Sequence, residues 1–496
     1  MKTYLPYLLL LIGFQLRAQE TQAPVNTPQQ NYQAELKALG KKFSDEFYPN
    51  YSQIYALPEK AFTAKIDSAR TDFNATLGKY KSQLEKPYAE NQLLEIKYYF
   101  DKLLIDYPQS HEVYGQNATA KTSGIPERLK GNLVDFNKPD LLKNSDFVNY
   151  FKAYISLQTY FELKKGTYKN LDNQHLQAQW KLIPKYVSNR KCREYWQHEY
   201  LFNHIDNNGI KHIEAIYKDF NAYCKDTALL NKVNKAYAAD VEGKKGHIIK
   251  PYKTLGPHSL DMHMFLPANN LNKHPAIVFF HGGSWSEGKP DWFFSTCQEY
   301  AKKGWVACAV EYRTFGRFGT LPFEAVMDAK SAIRWIRQNA DAYNIDTTKI
   351  LATGNSAGGH LALTTALVDN WNEKTDRLSV SAKPNALIIN AGVYDLTDDV
   401  TAWIRKDLIN KDLVKEISPN FLIRRDFPPA LIFHGTFDRN VPYASAKKFG
   451  EDMVNIGHTD LVFRPLTAAG HFIWFDPRYA EVIQKARAKF LEKLGY

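Results

Sequence analysis

The run Gly354-Asn355-Ser356-Ala357-Gly358-Gly359-His360 sets a serine among small residues, between a short apolar stretch, residues 350–353, and the helix-forming Leu361-Ala362-Leu363. Small residues two before and two after a serine let a strand turn sharply into a helix and lift the hydroxyl clear of a sheet. The helix start adds unpaired amides that favour an anion. Serine attacks only if a base takes its proton and donors await the oxyanion. His281-Gly282-Gly283-Ser284-Trp285, after the apolar run 276–280, supplies a loop whose glycines can aim amides at a carbonyl oxygen. The amides of Gly283, Ser284 and Ala357 are the expected oxyanion hole. Downstream, the apolar run 430–433 leads into His434-Gly435-Thr436-Phe437-Asp438, and Ala469-Gly470-His471 follows. Ser356 as nucleophile, Asp438 as acid and His471 as base would form a triad: Asp438 fixes the tautomer of His471, which deprotonates Ser356 and then protonates the leaving alcohol.

Each residue also has a plainer reading. Ser356 would serve as a helix N-cap. Asp395, after the apolar run 386–389, rivals Asp438 as the acid, and His434 and His360 rival His471. His281 reads as a loop-stabilising side chain, and Glu311-Tyr312-Arg313 as a turn whose charges pair internally. Trp285 and Phe472 are the candidate substrate-binding residues; Trp292, Phe315, Phe318 and Trp474 also lie in or beside the loops of the active face.

These groups need a frame. Short apolar runs at 276–280, 305–310, 350–353, 386–389 and 430–433, with an alternating segment at 260–266, read as strands, most of them buried on both faces. Amphipathic segments 322–339 and 357–368 read as helices between them. The alternation gives an α/β fold, a mostly parallel sheet with helices on both faces and its site at the carboxyl ends of the strands. The first half has another texture. Segments 61–84, 91–107, 144–165, 189–203 and 209–238 carry apolar residues at helical spacing, and only 10 of the 26 glycines fall at or before Gly246. An all-α accessory domain over 35–245 and a catalytic domain over 246–496 follow, joined near Val241 to Gly246. The aromatic stripes of the helices, such as Phe147, Tyr150, Phe151 and Tyr154, read as bundle core.

Together, HGGSW, the Glu311-Tyr312-Arg313 turn, Asp328-Ala329, Arg334-Trp335-Ile336-Arg337, GNSAGGH, HGTFDRNVP and AGH resemble the α/β-hydrolases of the acetyl esterase and feruloyl esterase-like group, related to the hormone-sensitive lipase type. The first motif departs from that group's HGGG by Ser284. The resemblance covers about 246–496 and implies ester hydrolysis through an acyl-serine. A carbohydrate ester, or another short-acyl or aryl ester, is the implied substrate. A prolyl oligopeptidase-like peptidase and a non-catalytic glycan-binding scaffold are the alternatives. The helical half loosely resembles the region before the thioredoxin domain in exported TlpA-like proteins, on Asp135-Phe136-Asn137 through Ser145. It lacks their CxxC, so it implies an accessory module.

Composition narrows the rest. With 44% hydrophobic and 24% charged residues in 496, the chain is globular. The net charge of +11 is shared by both halves, which suits mild attraction to acidic polymers and speaks against a nucleic-acid partner. Lys2, an apolar run at 5–14 interrupted by Pro6, and Ala18 form the pattern of a cleaved signal over 1–18. A flexible tether over 19–34, no stable membrane insertion after cleavage, and a periplasmic or extracellular location follow. Cys192 with Cys224, and Cys297 with Cys308, are either disulfides or buried apolar residues. No metal or organic cofactor is required. Residues 397–427 are long enough for a cap or lid.

Overall fold

The computed structural model describes residues 27–115, 122–169, 171–268, 273–397 and 411–496. The expected leader, the expected tether up to residue 26, and 398–410 of the expected lid lie outside them. Contacts divide the chain into two compact units: residues up to Glu162 with Leu182–Arg193, and Leu163–Lys181 with Glu194–Tyr496.

The first unit is built on the helices Pro28–Phe47, Tyr51–Ala56, Glu59–Tyr80, Lys86–Tyr114 and most of Ser145–Lys164. The tether expected up to residue 34 is helix from Pro28 onward. Thr27 Oγ1 accepts the Gln30 amide at 3.2 Å and Gln30 accepts the Thr27 amide at 2.8 Å. This reciprocal cap holds a Gln- and Asn-rich start in helix, and Tyr32 is buried, donating to Gln92 at 2.9 Å. The aromatic stripes fill the interior, as expected. Phe62 and Tyr107 stack at 4.4 Å, and Phe136 meets Phe151 edge-on at 4.7 Å.

The second unit holds eight strands: β1 (Ile248–Leu255), β2 (His258–Phe265), β3 (His274–Phe280), β4 (Val306–Val310), β5 (Ile345–Asn355), β6 (Ala386–Asn390), β7 (Ala430–Gly435) and β8 (Leu461–Leu466). Their order is β1-β2-β4-β3-β5-β6-β7-β8. β1 with β2 and β2 with β4 are antiparallel, and every later pair is parallel. Val278, Ala352 and Leu387 pack on one face with Ile333 and Leu361, while Ile277, Leu351 and Leu431 pack on the other with Phe294 and Phe490. Full burial of each Val, Leu, Ile or Phe side chain among them contributes roughly 1.5–3 kcal/mol. The two edge strands, β1 and β8, are the ones the sequence reading missed. Each carries a proline, Pro251 or Pro465, and is partly exposed, so neither shows a continuous apolar run.

The helices before the sheet belong with it. Leu176, Leu201, Ile205, Ile213, Phe220 and Val233 form one cluster within the second unit. Asp172 pairs with Arg317 at 2.6 Å, and Lys211 with Asp261 at 2.7 Å and Glu311 at 2.9 Å. The compact division therefore falls well before Gly246, because these ions bind the helical segment to the loop after β4. The expected helix 209–238 is two, Glu214–Tyr223 and Thr227–Gly243, the second started by Asp226, whose carboxylate accepts the amides of Ala228 and Leu229. All four cysteines are buried, and among the described residues none is joined in a disulfide. Among the described residues no helix is long and apolar enough to cross a membrane.

Candidate active site

β5 ends at Asn355, the helix Ala357–Leu367 begins at Ala357, and Ser356 makes the turn alone. Its backbone stands at φ 54° and ψ −121°, a conformation that costs roughly 1–3 kcal/mol and persists only where its surroundings enforce it. Gly358 enforces it from one side: a Cβ there would lie 2.0 Å from the Phe280 carbonyl oxygen, so only glycine lets the helix press against the end of β3. The Ser356 amide donates to the Asn390 carbonyl at 3.0 Å, and the His360 amide donates to the Ser356 carbonyl at 3.1 Å.

β3 delivers the second loop. Gly283, Ser284 and Trp285 take φ values of 103°, 57° and 53° in succession. Ser284, where HGGG has a third glycine, therefore holds a left-handed backbone costing about 1–2 kcal/mol. Gly283 has no alternative, since a Cβ there would meet the Glu287 carbonyl oxygen at 2.2 Å. The loop lies against the turn: the Cβ position of Gly282 is 3.6 Å from Ser356 Cβ. His281 stacks on Tyr312 at 4.1 Å, and the Tyr312 hydroxyl donates to the His281 carbonyl at 2.8 Å. Burial pushes the His281 pKa down to about 4 despite a hydrogen bond with Gly282. It is a buried neutral side chain that braces the loop.

The loop after β7 carries Asp438. Its Oδ1 accepts the amides of Asn440 at 2.9 Å and Val441 at 2.8 Å, and its Oδ2 faces His471 Nδ1 at 2.7 Å. Burial would raise this carboxyl, but hydrogen bonds from His434 and His471 outweigh it and hold the group below the usual carboxylate range. An ionised carboxylate only accepts. Nδ1 of His471 therefore carries the proton, and Nε2 is left to accept one. Backbone bonds bring the two loops together: Phe437 N donates to the Ala469 carbonyl at 2.9 Å and Ala468 N to Thr436 Oγ1 at 2.8 Å.

The rivals are placed differently. Asp395 Oδ1 accepts the amide and hydroxyl of Thr397 at 2.8 and 2.6 Å, which makes it the cap of its own turn. His360 is buried, its Nε2 2.7 Å from the Ile417 carbonyl, and burial pushes its pKa down to about 4. His434 Nε2 faces two acceptors, the Val441 carbonyl at 3.1 Å and Asp438 Oδ2 at 3.3 Å, so it donates and is no base. Trp285, expected to contact substrate, is buried with its ring edge-on to His360 at 4.9 Å; it packs the loop and offers no open stacking face. It also lines a small cavity with Ser284, Phe315, Thr320 and Leu321. Phe472 is 47% exposed, with its ring 5.2 Å from that of His471.

The turn after β4 departs from expectation in its partners. Glu311 pairs with Arg317 and with Lys211, while Arg313 pairs with Asp328 at 2.7 Å and Glu373 at 2.9 Å. Burial would raise Glu311, but Arg317 and Lys211 hold it down at about 2. Long sequence separation hid this network: Asp172 and Arg317 stand 145 residues apart. Asp172, His212 and His258 come within metal-ligand reach of one another. Both Asp172 oxygens are already engaged by Arg317, at 3.0 and 2.6 Å, so a guanidinium occupies the place of a cation.

The family profile described as BD-FAE matches residues 262–453. A probable isoprenylcysteine alpha-carbonyl methylesterase of Arabidopsis thaliana is 26% identical over 47% of this chain and 54% of its own length. The esterase LipC of Mycobacterium tuberculosis is 26% identical over 40% of this chain and 52% of its own. The chain thus spans about half the length of these curated relatives. A solved structure of Thermogutta terrifontis esterase 2 is 33% identical, with 51% of this chain and 96% of that one covered and a TM-score of 0.47.

Proposed function

We propose, from the premise that residues 262–453 form a BD-FAE domain of the α/β-hydrolase type, that the protein is a serine carboxylic-ester hydrolase. The observation that carries the reading is the 2.7 Å pair of Asp438 and His471, on the same carboxyl edge of the sheet as the strained turn at Ser356. His471 Nε2 takes the Ser356 proton as Oγ attacks the ester carbonyl. The amides of Gly283, Ser284 and Ala357 stabilise the oxyanion, and Asp438 stabilises the imidazolium. The tetrahedral adduct collapses to acyl-Ser356, and His471 returns its proton to the departing alcohol. Water, deprotonated by the same histidine, then releases the acid.

The substrate we favour is a short-acyl ester carried on a carbohydrate. Phe437, Phe472 and Phe475, 68%, 47% and 59% exposed, stand on the two loops that hold Asp438 and His471. Exposed rings beside a polar site suit the apolar face of a sugar. Initial rates on p-nitrophenyl acetate and acetylated xylo-oligosaccharides test the reading. Wild type turns over both and Ser356→Ala loses both by at least about a thousandfold; undiminished turnover by Ser356→Ala would sink the mechanism.

A further inference from the structure

Both residues that enter the strained turn are tied to one residue of the neighbouring strand. Asn390, buried at the end of β6 and in register with Asn355, accepts the Ser356 amide on its carbonyl at 3.0 Å. Its side-chain Nδ2 donates to Asn355 Oδ1 at 2.9 Å and lies 3.4 Å from the Gly354 carbonyl oxygen. The other end of that amide meets Arg487, from the helix Ala480–Lys493, whose Nη2 donates to Asn390 Oδ1 at 2.8 Å. The Arg487 guanidinium lies 5.9 Å from the centre of the Phe433 ring, and its Nε is buried with no hydrogen-bond partner. Among the described residues no carboxylate forms an ion pair with it. A covered cation without an anion is costly, and an apolar side chain would fill the place at less cost.

The polarity of the contact supplies a role. A guanidinium has donors and no acceptor, whereas an amide has both and can turn over. With Arg487 present, the oxygen of Asn390 must face it and the amino group must face Asn355. Without it the oxygen of Asn390 loses its donor, Asn355 can turn its own amide to match a reversed partner, and only the long 3.4 Å contact with the Gly354 carbonyl still favours the present direction. We propose that Arg487 is a positioning residue for the nucleophile: it fixes the direction of the Asn390 amide, and Asn390 clamps the two residues that hold Ser356 in its strained turn. Arg487 touches no reacting atom and acts through Asn390. The inference rests on the reading of Ser356 as the nucleophile.

The test uses full-length Arg487→Met, Arg487→Lys, Asn355→Ala and Ser356→Ala. The readouts are kcat and KM on p-nitrophenyl acetate, the rate at which diethyl p-nitrophenyl phosphate phosphorylates Ser356, and the midpoint of thermal unfolding. A misplacement near 1 Å costs about a hundredfold, so Arg487→Met should lower kcat by roughly ten- to a hundredfold, with KM within about threefold. Phosphorylation should slow in step. Arg487→Lys, whose ammonium also only donates, should restore most of the rate, and Asn355→Ala should reproduce the loss in a folded protein. A folded Arg487→Met with wild-type kcat overturns the proposal, as does Arg487→Lys no better than Met, or Asn355→Ala at full rate. If Arg487→Met unfolds, Asn355→Ala decides by itself. Failure of the underlying reading looks different, because Ser356→Ala would then keep its turnover.

Discussion

Replacing Asp438 by Asn changes one atom and reverses the logic of the base. The amides of Asn440 and Val441 both donate to Oδ1, so an asparagine must keep its oxygen there. Its Nδ2 then stands where Oδ2 now faces His471 Nδ1 at 2.7 Å, and two donors would meet. The imidazole escapes by moving its proton to Nε2, the atom that accepts the Ser356 proton in the proposed mechanism. Loss of the correct tautomer in a triad costs about 10⁴ in kcat, which is roughly 5.4 kcal/mol of barrier. KM should change little, since no substrate contact is removed. Initial rates on p-nitrophenyl acetate for Asp438→Asn and Asp395→Asn, each shown folded by its melting curve, provide the assay. Asp395 caps its own turn through Thr397, so its asparagine variant should keep the wild-type rate. Retention of more than about a tenth of kcat by Asp438→Asn, or a comparable loss in Asp395→Asn, would refute the assignment of the acid.

Two further outcomes follow from the surroundings. Glu311 titrates at about 2 in the folded chain and near 4.3 when unfolded. Its contribution to stability is therefore complete above the unfolded value and lost as pH falls through the folded one. Glu311→Gln removes a buried anion facing Arg317 and Lys211, a loss of about 3–5 kcal/mol, and should flatten the acid limb of a urea-unfolding series; equal midpoints at pH 7 would show that the network does not hold the fold. Phe472→Ala should raise KM for acetylated xylo-oligosaccharides by about three- to tenfold, more than for p-nitrophenyl acetate. Equal changes on both would remove the sugar-stacking role.

What the sequence disclosed depended on how far apart the cooperating residues lie. The strands β3 to β7 were legible because a strand covered on both faces must be apolar throughout, and the serine turn because its small residues are consecutive. β1 and β8 were not, since an edge strand tolerates proline and polar exposure. The nucleophile, acid and base candidates could be read in chain order, yet choosing Asp438 over Asp395 required knowing which carboxylate meets an imidazole. The start of the first helix was obscured because Gln, Asn and Pro suggest a tether by composition, while Thr27 and Gln30 specify a cap by position. Trp285 looked like a recognition residue because it sits in the right loop; its burial against His360 comes from packing that no spacing reveals. The link of Arg487 to Asn390 spans 97 residues, and neither residue belongs to a recognisable motif.

The ion network between the helical segment and the turn after β4 bears on how this protein can be cut. An expression fragment trimmed to residues 246–496 would look complete by its motifs. It would nevertheless discard Asp172 and Lys211, leaving Arg317 with Glu311 as its one remaining carboxylate partner from the network, and would remove the whole apolar cluster around Leu201 and Ile205. The compact unit that keeps those charges matched begins at Leu163, and it is interrupted by Leu182–Arg193, the end of one helix and the start of the next, which group with the other unit.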